Sequence, residues 1–276
     1  MRRRASVLEE LREIGAHDDD AIDIADTALL LAAADRPDER LEPYRETLAE
    51  IARDAQESTA RSHSVDMQAA ALNNLLVGRR GFRGDKETYG DPRNANLMHV
   101  IARRRGLPVA LGILWMHAGR AYGGDIVGLA FPSHFLIRLF ARGQRLILDA
   151  FGGGRSLGAE DLRSMLKQMN GADKEIEPAH YAPVGNRDVL IRLQNNIKVR
   201  ALAANDPARA LDVLETMTLL APDRGELWWE TALLHSRVGN IRTAIATLES
   251  YLAGSSADAN RTEIEDLVRR LRSKVN

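Results

Sequence analysis

The sequence predicts an α+β protein: a helical amino-terminal segment, a middle in which a buried helix packs on an antiparallel sheet, and an all-α carboxy-terminal domain. Three observations predict it. Apolar residues recur at the 3.6-residue helical period over 18–61 and again over 188–276. The run from Val109 to Ala121 is apolar on nearly every face, as a central buried helix is. Two alternating runs flank a short glycine turn between residues 135 and 151, which reads as a β-hairpin. The chain of 276 residues has room for two domains of roughly 150 residues each.

The amino-terminal helices come first. Asp18, Asp19 and Asp20 precede an apolar stripe from Ala21 to Ala32, and acidic residues suit a helix start, where N–H groups are unpaired. Arg36-Pro37 ends that helix. A second helix spans about Pro43 to Arg61, with Leu48, Ile51, Ala52 and Ala55 on one side. Residues 1–62 are expected to form a segment that packs on the core. Gly81, Gly84, Gly90 and Pro92 then mark an irregular stretch. Asn94 to Arg104 reads as a helix, broken by Gly106-Leu107-Pro108, and the apolar helix that follows is stopped by Gly123-Gly124. Asp125 to Phe131 is a strand. Phe135 to Phe140 and Arg145 to Phe151 pair around Ala141-Arg142-Gly143-Gln144. Residues 63–160 form the expected core, and 161–187 a helix and linker.

Residues 188–276 repeat. Ala210, Leu214 and Glu215 match Ala244, Leu248 and Glu249, each pair 34 positions apart, with Asp206 and Asn240 at matching turns. That period, with small residues where two helices touch, is the tetratricopeptide pattern. Such an array offers a groove to another protein or peptide. The alternative is that these helices only cap the middle domain.

Composition excludes several functions. Net charge is −1, from 38 basic and 39 acidic residues, which argues against a dedicated nucleic-acid binder. Cysteine is absent, so disulfides, thiolate metal sites and a cysteine nucleophile are impossible. No run approaches the ~18 apolar residues that a membrane span needs. Glu9 and Glu10 interrupt any secretory signal, so a cytoplasmic location is expected. His99 and His117 have no metal-ligand spacing with His134, and no metal or cofactor is assigned. Arg103-Arg104-Arg105 reads as a solvated face near a helix end.

One grouping looks chemical. If the hairpin pairs Phe140 with Arg145, then Leu136 opposes Asp149, and His134 becomes a diagonal neighbour of Asp149 on one face. A carboxylate there can orient the imidazole, fix its tautomer and favour its charged form. The same spacing suits a structural hydrogen-bonded pair. Ser133 is a poor nucleophile for His134, because adjacent strand residues point to opposite faces. Asp91, Arg93, Asn94 and Asn96 either line a polar cleft or satisfy backbone groups in the glycine-rich loop.

Gly106-Leu107-Pro108 before a buried helix, Phe131-Pro132-Ser133-His134-Phe135-Leu136, and Leu148-Asp149-Ala150-Phe151-Gly152-Gly153 together resemble a bacterial transglutaminase-like family with carboxy-terminal tetratricopeptide repeats, the SirB-type proteins. Gly81-Phe82-Arg83-Gly84, Tyr89, Asp91-Pro92-Arg93-Asn94 and Arg104-Arg105-Gly106 add to the resemblance. It implies a papain-like core with a Cys–His–Asp triad. His134 and Asp149 would be the surviving dyad. The cysteine would stand near Pro108, Val109 and Ala110, none of which can attack a carbonyl. The resemblance therefore implies a scaffold without its nucleophile, acting as an interaction or regulatory module through residues 188–276. The alternatives are a hydrolase or acyl transferase using water or Ser133 with His134, and a binder of a peptide or acyl ligand in the old cleft.

Overall fold

The computed structural model describes residues 2–59, 64–254 and 261–274. The expected helix end at Arg61 lies outside the described residues. Four helices open the chain: α1 (Arg2–Gly15), α2 (Ile24–Asp35), α3 (Glu42–Thr59) and α4 (Val65–Asn73), the last running into a π-helical turn over Asn74–Arg79. A parallel two-stranded bridge joins β1 (Arg83–Gly84) to β2 (Arg105–Gly106), and between them lies α5 (Leu97–Arg103). The apolar helix is α6 (Pro108–Ala121), with proline at its first position, where no N–H bond is lost. Then come β3 (Asp125–Leu129), β4 (Leu136–Ala141), β5 (Gln144–Asp149) and β6 (Arg155–Leu157). The chain continues through α7 (Ala159–Asn170), β7 (Pro183–Val184) and α8 (Asn186–Ala203). It ends in α9 (Pro207–Leu220), α10 (Gly225–Arg237), α11 (Ile241–Gly254) and α12 (Arg261–Arg272).

Two compact units result. One holds residues 18–33 and 38–193. Its sheet has the order β6-β5-β4-β3-β7, every neighbour antiparallel. The expected register is present: Phe140 pairs with Arg145 and Arg138 with Ile147. Arg142 and Gly143 both have positive φ, the two-residue turn whose twist suits a hairpin. The sheet reaches past the expected core boundary at 160, because β7 adds an edge to β3 and α7 covers one face through Leu162, Met165 and Leu166.

On the other side α6 packs through glycine. A Cβ on Gly112 would overlap the Phe135 ring, and one on Gly128 would lie 2.6 Å from the same ring. A single aromatic ring thus fills the space that two missing Cβ atoms leave between helix and sheet. Gly119 receives Ile126 in the same way, 2.7 Å from where a Cβ would stand. Buried α2 has a different cap from the one expected. Asp23, rather than Asp18 to Asp20, accepts from Ala25 N–H and Asp26 N–H. Asp19 accepts from Asn186 N–H at 2.7 Å and Arg187 N–H at 2.8 Å, and so caps α8 instead.

The second unit holds residues 2–17, 34–37 and 194–274. Residues 2–17 depart from the expected segment: α1 packs on α9, where a Cβ on Gly15 would overlap the Leu219 carbonyl. Arg4 reinforces that contact with ion pairs to Asp212 at 2.9 Å and Glu215 at 2.8 Å. The 34-residue register is visible in three dimensions. Ala210, Leu214, Ala244 and Leu248 are fully buried on α9 and α11. Asn205 and Gly239, also 34 apart, both turn the chain with positive φ. Asp206 caps α9 by accepting from Arg209 N–H at 3.0 Å.

Gly112→Ala is expected to cost about 1–3 kcal/mol, because the added methyl cannot displace a ring fixed on two sides. Urea denaturation followed by tryptophan fluorescence, with Gly254→Ala as control at an open position, checks this.

Candidate functional site

His134 does not lie in β4 but two residues before it, in a turn where Ser133 has φ 59°. Asp149 is the last residue of β5. The turn and the strand end bring them together: His134 Nε2 and Asp149 Oδ1 are 2.9 Å apart, both buried. The hairpin register that places Leu136 opposite Asp149 is what sets this separation.

Each partner is held by its own supports. Arg192 of α8 donates to the carbonyls of Phe131 at 3.1 Å and His134 at 2.6 Å, and its guanidinium lies over the Phe135 ring. Burial lowers the Arg192 pKa, and Tyr89 opposes that shift; the guanidinium stays charged regardless. The turn after Asp149 is pinned from two helices. Asn73 Nδ2 of α4 donates to Gly153 O at 2.9 Å, and Trp115 of α6 lies against Gly154, where no Cβ would fit. The Gly152 N–H also bonds the Asp149 carboxylate. Phe151 then stands edge-on to both His134 and Tyr89, at 5.9 and 5.7 Å between ring centres. A Cβ on Gly84 would lie 2.6 Å from the Phe151 ring, so this aromatic ring links the imidazole to the β1–β2 bridge that leads into α6.

Burial works to raise the Asp149 pKa, but the bond to His134, the imidazole's charge, the Gly152 N–H and Arg155 together hold it below its usual value. Asp149 therefore stays a carboxylate at neutral pH and accepts from Nε2–H. That fixes the tautomer and turns Nδ1 outward as the free ring nitrogen; among the described residues Nδ1 has no hydrogen-bond partner. Such a pair can orient a base, but it supplies no nucleophile. Pro108, Val109 and Ala110 form the buried first turn of α6.

The remaining sequence candidates are occupied elsewhere. Ser133 Oγ accepts from Asn170 Nδ2 at 3.0 Å. Asp91 caps a short 3-10 turn through Arg93 N–H and pairs with the Arg93 guanidinium at 2.7 Å. Asn94 is fully buried, donating to Thr88 O at 2.7 Å and accepting from Arg103 at 3.0 Å. Asn96 caps α5 and donates to Ala32 O at 3.3 Å. These are bonds that build the glycine-rich loop. The arginine run is only partly the solvated face expected: Arg104 is exposed, while Arg103 and Arg105 are half-buried. Arg104 has φ 59°, which sends three neighbours in three directions: Arg103 to buried Asp85 at 3.2 Å, Arg104 over Phe82 and to Arg80 O, and Arg105 to Glu87 at 3.0 Å. Sequence reasoning missed Arg192 and Asn73, since neither lies near the dyad in the chain and only the folded path brings them to it. Among the described residues no helix is long and apolar enough to cross a membrane, and no group of three His, Asp or Glu could hold a metal ion.

Comparison with known proteins agrees with this geometry. Residues 42–195 match the transglutaminase-like superfamily pattern Transglut_core2, and residues 197–269 a tetratricopeptide repeat pattern. A UPF0162 protein of Xylella fastidiosa is 30% identical over 239 residues, covering 85% of each chain. A UPF0162 protein of Vibrio cholerae is 30% identical over 75% of this chain and 76% of its own. Human F-box only protein 21 is 27% identical over 61% of this chain and 28% of its own.

Because Asp149 is held below its usual carboxylate value, the dyad's contribution is full above about pH 5 and is lost as pH falls through the lowered folded pKa. Asp149→Asn is expected to lower stability at pH 7 and to flatten its dependence on pH between about 5 and 2. His134→Ala, which leaves a buried carboxylate short of a donor, is expected to cost about 1–3 kcal/mol at pH 7. Denaturation curves at several pH values check both.

Proposed function

Since the chain belongs to the transglutaminase-like superfamily and contains no cysteine, we propose that it is a non-catalytic transglutaminase-like protein acting as a protein-interaction or regulatory module through its helical repeats. The observation that carries this reading is the pairing of an ordered His134–Asp149 couple, 2.9 Å apart, with a chain devoid of thiols. An imidazole–carboxylate pair raises the nucleophilicity of a neighbour. Without a thiol beside it, the pair's role in this reading is to order the strand ends. Ser133 Oγ accepts from Asn170 Nδ2, and no bond joins it to His134 among the described residues.

The repeat unit is the part suited to a partner. Tetratricopeptide arrays bind other proteins along the surfaces that their stacked helices expose. On α8, Val199 and Leu202 are exposed apolar side chains, 52% and 40% accessible, three positions apart on one helical face. Apolar side chains left on a helix face in this way suit a partner helix or an extended segment. A protein or peptide partner docking through 188–276 accounts for them.

Incubation of the full chain with amide and ester substrates is expected to give no turnover above buffer, and His134→Ala no change. Turnover abolished by His134→Ala would contradict the reading. Cross-linking in a bacterial lysate is expected to yield a defined adduct that Val199→Asp/Leu202→Asp removes, while circular dichroism shows the helices intact.

A further inference from the structure

A second part of the core holds a cavity, away from the dyad. The sheet register aligns Val127, Arg138, Ile147 and Leu157 on neighbouring strands. Arg145 is two residues from Ile147 on β5 and so shares its face. Arg138 and Arg145 are therefore diagonal neighbours, with backbones roughly 7–8 Å apart, close enough for both guanidinium groups to reach one small anion. A cavity of about 370 Å³ opens at this place, lined by Arg138, Arg145, Ile147, Leu157, Leu162 and Tyr181. Its floor is apolar: Leu157 and Leu162 are buried in the cluster under α7, and Ile147 and Tyr181 pack against them. Its rim is cationic.

Among the described residues no carboxylate pairs with that rim. Arg138 makes one long bond, to Tyr181 O at 3.4 Å, and among the described residues neither arginine forms an ion pair. The acidic groups nearby are turned elsewhere or set apart. Asp161 of α7 accepts from Gly158 N–H at 2.9 Å, Glu160 is exposed outside the lining, and Asp125, diagonal to Arg138 across β3, is exposed outside the lining and pairs with neither arginine among the described residues. Two like charges side by side on one sheet face repel unless an anion bridges them. The guanidinium fork matches a carboxylate in shape and charge. The cavity also falls within the roughly 300–1,000 Å³ typical of small-molecule sites, which combine apolar walls with a few polar anchors.

We propose that this cavity binds a small organic acid, its carboxylate between Arg138 and Arg145 and its apolar body over Ile147, Leu157 and Leu162. Neither His134 nor Asp149 lines the cavity, so the site is independent of the dyad and of the repeat unit.

Titration of the full chain with decanoate, followed by amide NMR, tests this. Saturable shifts are expected at 138, 147, 157 and 162. Decanol, which keeps the apolar body and lacks the charge, is expected to bind on the order of tenfold more weakly, since charge-assisted bonds are about twice as strong as neutral ones. Arg145→Gln, at an exposed position, and Arg138→Gln/Arg145→Gln are expected to weaken decanoate by a similar factor with an unchanged thermal melt. Equal binding of decanol and decanoate, shifts confined to other residues, or no saturation by decanoate would overturn the proposal. So would a peptide with a carboxy-terminal leucine that binds more tightly than decanoate, since the occupant would then be a chain end.

Discussion

The arrangement of the core rests on one aromatic ring. Phe135 fits between Gly112 of the buried helix and Gly128 of the neighbouring strand, and it is buried to the last few Å². Dense interiors tolerate little change in volume, so a ring held on both sides sets how close α6 comes to the sheet. Phe135 immediately follows His134 in the chain. Fixing one residue fixes the path of the other, and the imidazole then meets Asp149 at 2.9 Å.

Polar bonds from distant segments complete what packing begins. Arg192 donates to two carbonyls of the 131–134 turn. Asn73 does the same for the turn after Asp149. Asp19 caps the helix that carries Arg192. Buried backbone carbonyls and N–H groups need partners, and turns that leave regular strands must find them in side chains. The dyad is thus the meeting point of three separate chain segments, tied by side-chain bonds that each span more than fifty residues. That geometry is held in a chain that contains no thiol.

The repeat unit follows a different logic. Its contacts run between neighbouring helices, and its period appears in both burial and backbone: a fully buried alanine on α9 and on α11, and a left-handed residue in the turn before each. Each pair of helices buries its apolar face only by stacking on the next. Trp228 and Tyr251 stack at 5.8 Å, joining α10 to α11. Lys198, buried where alanine stands in the second unit, forms an ion pair with Glu230, so the first unit departs from the repeat at the price of a charge that must be matched.

Much of this was legible in the chain. Val109–Ala121 is a buried helix because it is apolar on every side, and the hairpin register follows from alternation around a glycine turn. That register sets the end of β5 beside the start of β4, and the turn before β4 then brings His134 to Asp149. The repeat was legible because identical spacing at 210, 214, 244 and 248 leaves few other solutions. The parts not legible share one cause. Whether Asp18–Asp20 cap the next helix or a remote one, whether α1 packs on the sheet unit or on α9, and whether three adjacent arginines face water depend on partners far away in sequence. Local periodicity fixes which face of an element is apolar. It carries no record of which polar groups that face will meet, because those meetings exist only once the chain has closed on itself.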